Sequence, residues 1–313
     1  MSLKHLTLAL ALAGVPSLGM AAPATDAGAA RSPAAGSPAA GSPAASMTVL
    51  TTLPVTHSLA AALLEGTSVR IERAAPANLP ASRQPSFFST RGGAGLDKAA
   101  RQADAVIGLR SIWRDDPLYP MARRSNIRIV EIDAARPVDG ALPGIAVQGD
   151  DAFAAYPWLN PSNLGRMADV LANDLERLAP ADKARVQSNL AGLKRQLLAL
   201  QSASQTQLAE IDNLSVVSLS ERLSYLAGGM NLDLIDQPLP AGDQWDAAAL
   251  KLLGDNLKAN DVAVVLHHRQ PSQAVAEVIK ASGAELVVLD SDAEDTLAGL
   301  KASVDQVVAA LRG

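Results

Sequence analysis

The chain has no cysteine among its 313 residues. That excludes disulfide frameworks, thiolate catalysis, cysteine-ligated metals and a lipid anchor on an N-terminal cysteine. Aromatic residues are scarce, at 3%, which leaves little for stacking on bases or sugars. Positive charge is not in excess either. The net charge is −5 and the pI about 5.4, which argues against a nucleic-acid or anionic-membrane partner. No stretch after the N-terminal region reaches membrane-spanning length. There is no Walker loop, no GxGxxG and no nucleophile–base pair in a supporting context, so an enzyme is not expected. "RGGAG" at 91–95 lacks the strand-to-helix setting of a phosphate loop and reads as a flexible turn.

What is present starts with an export signal. Lys4 precedes the short apolar run "LTLALALAGVPSLGM", and the small residues of "GMAAPA" follow. This pattern predicts a cleavable signal peptide over 1–21 and a periplasmic, non-lipidated mature chain. Residues 22–46 include "SPAAGSPAAGSPAAS", a near-uncharged Ala/Pro/Gly/Ser repeat that cannot bury a core and reads as a disordered linker.

Residues 47–313 exceed a typical single domain and suit two lobes of roughly 130 residues each. In the first half, "MTVLTTL" (47–53), "DAVIGL" (104–109) and "IRIVEID" (127–133) read as buried parallel strands. The second half repeats the plan with "LSVVSL" (214–219), "DVAVVL" (261–266) and "AELVVLD" (284–290). Strands alternating with helical patterns predict an α/β fold of two Rossmann-like lobes with parallel sheets, whose ligands sit at the carboxyl ends of the strands. Between the halves, Asn160 is a good N-cap and Pro161 a natural first residue for a helix ending near Leu178. Val186, Leu190, Leu193, Leu197 and Leu200 then mark one face of a second helix, from Asp182 to about Leu208. This long backbone helix would join the lobes. The boundaries predicted are 47–160 for the N-terminal lobe, 161–210 for the helical connector and 211–313 for the C-terminal lobe.

Five segments, in order, resemble the zinc- and manganese-binding solute receptors of bacterial ABC importers. They are "TTLPVTHSLAAALLEGT", "QADAVIGLRSIW", "YPWLNPSNLGRMADVL" with the long helix after it, "VVSLSERLSYLAGGMNLDLID" and "GAELVVLD". The resemblance implies a two-lobed periplasmic receptor, expected to be a monomer, handing cargo to an ABC permease in the inner membrane. It also implies four ligands for a divalent metal, Zn or Mn. Here the first falls in "RQPSFFS", near Ser86, Phe87 and Phe88, the second is Tyr156, the third Ser220, and only the fourth, Asp290, keeps a metal-binding side chain.

Zn²⁺ needs three or four N, S or O ligands, so a lone carboxylate cannot hold it tightly. A replacement metal site would draw on His267 or His268, at the end of "VAVVL" with side chains expected on opposite faces, together with Glu221 and Asp290. Each also has a structural reading: strand-end histidines are commonly hydrogen-bonded, and Asp290 opens the acidic run "DSDAED", which suits a turn. His57 follows Thr56, a natural N-cap, and reads as structural. Ser86, Phe87, Phe88, Tyr156 and Ser220 would line a pocket better suited to a metal chelate or small organic solute than to a bare ion. The alternatives to a metal receptor are therefore a receptor for such a ligand, or a non-transporting scaffold or metallochaperone.

Overall fold

The computed structural model describes residues 47–140, 142–149 and 152–313. The expected signal peptide and linker, over 1–46, lie outside the described residues. The first lobe is built from β1 (Thr48–Thr51), α1 (Pro54–Leu64), β2 (Arg70–Arg73), α2 (Gln84–Ser89), α3 (Gly93–Gln102), β3 (Ala105–Gly108), α4 (Leu118–Ser125) and β4 (Val130–Asp133). Two helices, α5 (Pro161–Leu178) and α6 (Lys183–Leu208), lead to the second lobe. That lobe contains β5 (Ser215–Ser218), α7 (Ser224–Gly229), β6 (Asp233–Ile235), α8 (Ala247–Ala259), β7 (Val264–His267), α9 (Gln273–Ser282), β8 (Glu285–Val288) and α10 (Thr296–Arg312).

Each lobe holds a four-stranded, wholly parallel sheet, with strand orders β2-β1-β3-β4 and β6-β5-β7-β8. The same plan occurs twice, as the paired sequence patterns predict. The apolar central strands β1, β3, β5 and β7 match four of the six expected runs, and β4 and β8 match the other two. The edge strands β2 and β6 are additions. "RIER" and "DLI" are short and carry charge on their exposed side, so they lack the continuous apolar run of a strand buried on both faces.

Neighbouring strand residues point to opposite faces, and this divides the core. Val49, Ile107, Val216 and Val264 face inward, into one apolar cluster shared by both lobes. Leu50 and Val106 face the other way, under Leu96 and Leu118, and Val217 and Val265 pack under Leu253 and Ile279. Leu164, Met167 and Leu171 of α5, Leu193 and Leu197 of α6, and Val304 and Val307 of α10 fill the shared cluster. The lobes are therefore joined by packed side chains, and the linking helices belong to the core of both.

Asn160 caps α5, its side chain accepting from the Ser162 N–H at 2.8 Å, and Pro161 supplies the first turn. Gly229, at the end of α7, packs against this start; a Cβ there would lie 2.9 Å from the Pro161 ring. α6 spans 26 residues, about 39 Å at 1.5 Å per residue. Val186, Leu193 and Leu197 are buried along it, with Leu190 and Leu200 packed beside them.

Two local expectations are corrected. Thr56 is not an N-cap. α1 begins at Pro54 with Leu53 in the cap position, and the Thr56 hydroxyl donates to the Leu53 carbonyl at 3.2 Å. The Gly93–Gly95 part of "RGGAG" forms the first turn of α3 rather than a loop, and Gly92 is there because the Phe87 ring leaves no room for a Cβ.

Candidate functional site

A cavity of about 970 Å³ lies between the lobes, where the ends of β1, β5, β7 and β8 converge. One wall is aromatic. Tyr156 precedes a single 3-10 turn, Pro157–Leu159, and adopts a left-handed backbone with φ 50°. For a non-glycine residue that conformation costs roughly 1–2 kcal/mol. The surrounding rings hold it in place: Tyr156 sits 4.5 Å from Trp158, which lies 5.6 Å from Phe153, which stacks on Trp113 at 4.8 Å.

This geometry aims the Tyr156 hydroxyl across the cleft, where it donates to Asp292 Oδ1 at 3.0 Å. The other oxygen, Oδ2, accepts from Arg222 Nη1 at 2.7 Å, and the guanidinium lies over the Tyr156 ring at 4.5 Å. Burial, reinforced by the Asp292 charge, pushes the Tyr156 phenol well above its ordinary value, so it remains neutral and serves as a donor. Tyr156, Asp292 and Arg222 thus form a closed set in which the positive charge is a side chain.

The opposite wall is similarly self-paired. Asp243 Oδ1 accepts from the Trp245 indole at 2.6 Å and Oδ2 from Arg269 at 2.6 Å. Burial alone would raise Asp243, but those two hydrogen bonds outweigh it and hold its carboxyl below the usual range. At the cleft edge, Glu294 takes both terminal nitrogens of Arg73, at 2.9 and 2.8 Å.

His267 and His268 both line the cavity, with ring centroids 4.9 Å apart. The expectation of opposite faces fails because β7 ends at His267, and beyond it the strand alternation no longer applies. His267 Nδ1 accepts the His268 backbone N–H at 2.9 Å, which assigns the proton of the neutral ring to Nε2. Burial lowers both histidines, His268 to about 4 with help from Arg222, so both rings are neutral near pH 7.

The other residues singled out in the sequence are only partly gathered here. Tyr156, Ser220, Glu221 and Asp290 line the cleft with the two histidines. Ser86, Phe87 and Phe88 do not. α2 turns Phe88 into the outer core at 1% exposure, sets Phe87 against Arg91, and leaves Ser86 on the surface. Residues 77–82 take their place along the cleft. Nor do Asp290, His267, His268 and Glu221 combine: among the described residues no group of three or more His, Cys, Asp or Glu is placed to hold a metal ion. Asp290 is exposed and accepts the Asp292 N–H at 3.0 Å in a turn, and Glu221 is exposed on a 3-10 turn. Sequence reasoning passed over Arg222, Asp292, Asp243, Trp245 and Arg269. Asp292 lies within the same "DSDAED" run as Asp290, and Arg222 directly follows Glu221, but nothing local marks them as partners.

Twin parallel sheets, a cleft lined from both lobes and a shared helical layer make up the architecture of a two-lobed solute-binding protein. The profile of the periplasmic zinc-uptake complex component A family matches residues 99–308, and the chain belongs to that family. A search of curated protein sequences gave no match. Among solved structures, a crystal structure of ZnuA is 22% identical with a TM-score of 0.66, covering 85% of this chain and 99% of that one. An FpvC mutant from Pseudomonas aeruginosa is 22% identical with a TM-score of 0.68, at 85% and 99% coverage. The laminin-binding protein Lmb of Streptococcus agalactiae, described as a bifunctional adhesin and metal transporter, is 16% identical with a TM-score of 0.66, again at 85% and 99% coverage. At these identities the likeness is one of fold. Among the described residues, no helix is long and apolar enough to cross a membrane.

Proposed function

We propose that this chain is the periplasmic receptor of a metal-type ABC importer, exported by a cleaved signal peptide. It captures cargo in the inter-lobe cleft as a monomer and delivers it to an inner-membrane permease. The observation that carries this reading is the roughly 970 Å³ cleft at the carboxyl ends of strands from both sheets, where parallel α/β sheets place ligands, in a chain of the zinc-uptake receptor family. Zinc, nickel and manganese appear with structural neighbours, as a zinc-bound ZnuA deletion mutant and as FpvC with Ni²⁺ and Mn²⁺. A divalent metal, bare or chelated, is accordingly the cargo class to test.

The test is elemental analysis of cells lacking the gene, grown under zinc, manganese, iron or nickel limitation. Loss of the receptor lowers the content of one metal, and a plasmid copy restores it. Unchanged content of all four under limitation would overturn the reading.

A further inference from the structure

The cleft's own bookkeeping of charges and hydrogen bonds points to what it recognises. Among the described residues, three of its carboxylates are already engaged: Asp292 by Tyr156 and Arg222, Asp243 by Trp245 and Arg269, Glu294 by Arg73. An entering cation would have to break these pairs, since the exposed Glu221 and Asp290, one of whose oxygens already accepts a turn N–H, are two carboxylates where three or four ligands are needed. The unspent groups are of the opposite kind. Each guanidinium carries five N–H donors, yet among the described residues Arg222 uses only Nη1 and Arg269 only Nη2. Both side chains remain open to solvent, at 34% and 58% exposure. His267 lines the cavity with its Nε2–H free of any hydrogen bond among the described residues, and beside it His268 Nδ1 is buried without a hydrogen-bond partner. A buried polar nitrogen without a partner is costly unless a ligand supplies one.

The lining has a second bias. Although the chain has only three Phe, three Trp and three Tyr, Phe153, Tyr156, Trp158 and Trp245 all line this cavity. A volume of about 970 Å³ stands at the upper end of small-molecule pockets, roughly 300–1,000 Å³. An ion with a few waters, at about 30 Å³ per water, would fill little of it.

We infer that the cleft recognises an acceptor-rich organic acid, free or wrapped around a metal, through the unused N–H donors of Arg222, Arg269 and His267, and not a bare divalent cation. The inference rests on the receptor reading above and specifies its cargo. Carboxylate oxygens of the ligand accept from the two guanidinium groups, a geometry suited to bidentate pairing, while its flat portion lies against the aromatic wall. A metal carried this way needs no ligands from the protein, because the acid provides them.

The test is titration calorimetry on full-length protein dialysed against EDTA. The probes are the chlorides of zinc, manganese and nickel, then citrate and pyridine-2,6-dicarboxylate, each free and as its zinc complex. At least one acid binds, free or zinc-loaded, and the bare ions do not. Binding of the free acid identifies the acid itself as cargo, and binding of the complex alone identifies a chelate. Arg269→Gln, at the more exposed position, weakens binding about tenfold, as does Arg222→Gln, with folding of both checked by circular dichroism. Bare zinc binding in the micromolar range or tighter while no acid binds would overturn the inference and leave the receptor reading intact. No binding by any probe, or acid binding unaffected by both substitutions, would also overturn it. The receptor reading itself is judged separately, by the metal content of the deletion strain.

Discussion

Tyr156 and Asp292, 136 positions apart in sequence, meet across the cleft in a 3.0 Å hydrogen bond. Tyr156 belongs to the loop before α5 and Asp292 to the loop after β8, so the bond ties the two lobes at the cleft. It also occupies an acid that would otherwise be available to a cation. Tyr156→Phe keeps the ring cluster and removes this donor. The expected cost is about 1 kcal/mol, read as a fall in melting temperature of about 2–4 °C, with retained near-ultraviolet circular dichroism. A melting temperature equal to that of the parent would show that the bond does not form in solution.

The shared core makes a claim about cooperativity. Leu171 of α5 is fully buried among side chains from both lobes. Leu171→Ala should cost about 2–5 kcal/mol, and unfolding should remain a single transition by calorimetry and by tryptophan fluorescence. Two resolved transitions, in either the parent or the variant, would mean that the lobes fold as separate units.

The histidines set a pH dependence. Burial lowers His268 from 6.5 to about 4, so between those values the unfolded chain binds more protons than the folded one. The stability is fully present above the unfolded value and drains as pH falls toward the folded one. His57 and His267, also lowered by burial, act with the same sign. Asp116 and Asp133, raised by burial, have the opposite sign and add stability as pH falls through the carboxylate range. Melting temperature should therefore drop between about pH 7 and pH 5, and His268→Gln should reduce the drop. An equal drop in parent and variant would exclude His268 as a contributor.

The framework of this fold was legible in the sequence. β1 and β7 lie in the largely apolar, buried stretches "MTVLTTL" and "DVAVVL", and α5 carries both its Asn160 cap and its Pro161 start. The polar edge strands β2 and β6 lacked that signal. In the site, Tyr156 and Ser220 were legible because their neighbours keep the pattern of a receptor motif. Arg222 and Asp292 were not, because their pairing depends on bringing together the loops after β5 and β8, 70 positions apart. The placement of Ser86 to Phe88 failed for a related reason. Phe88 has the hydrophobicity of a pocket residue, but α2 places it in the core and residues 77–82 line the cleft instead.

Arg222 supplies the cation that the cleft's acids would otherwise recruit. The decisive experiment titrates zinc chloride into the parent and into Tyr156→His/Ser220→His/Arg222→Ser, which removes the guanidinium and places two imidazoles in the cleft. The parent should bind zinc no tighter than about 1 mM, or about 4 kcal/mol, and the variant at least about a hundredfold tighter. Submicromolar zinc binding by the parent, with no gain in the variant, would mean that Arg222 does not stand in the cation's place.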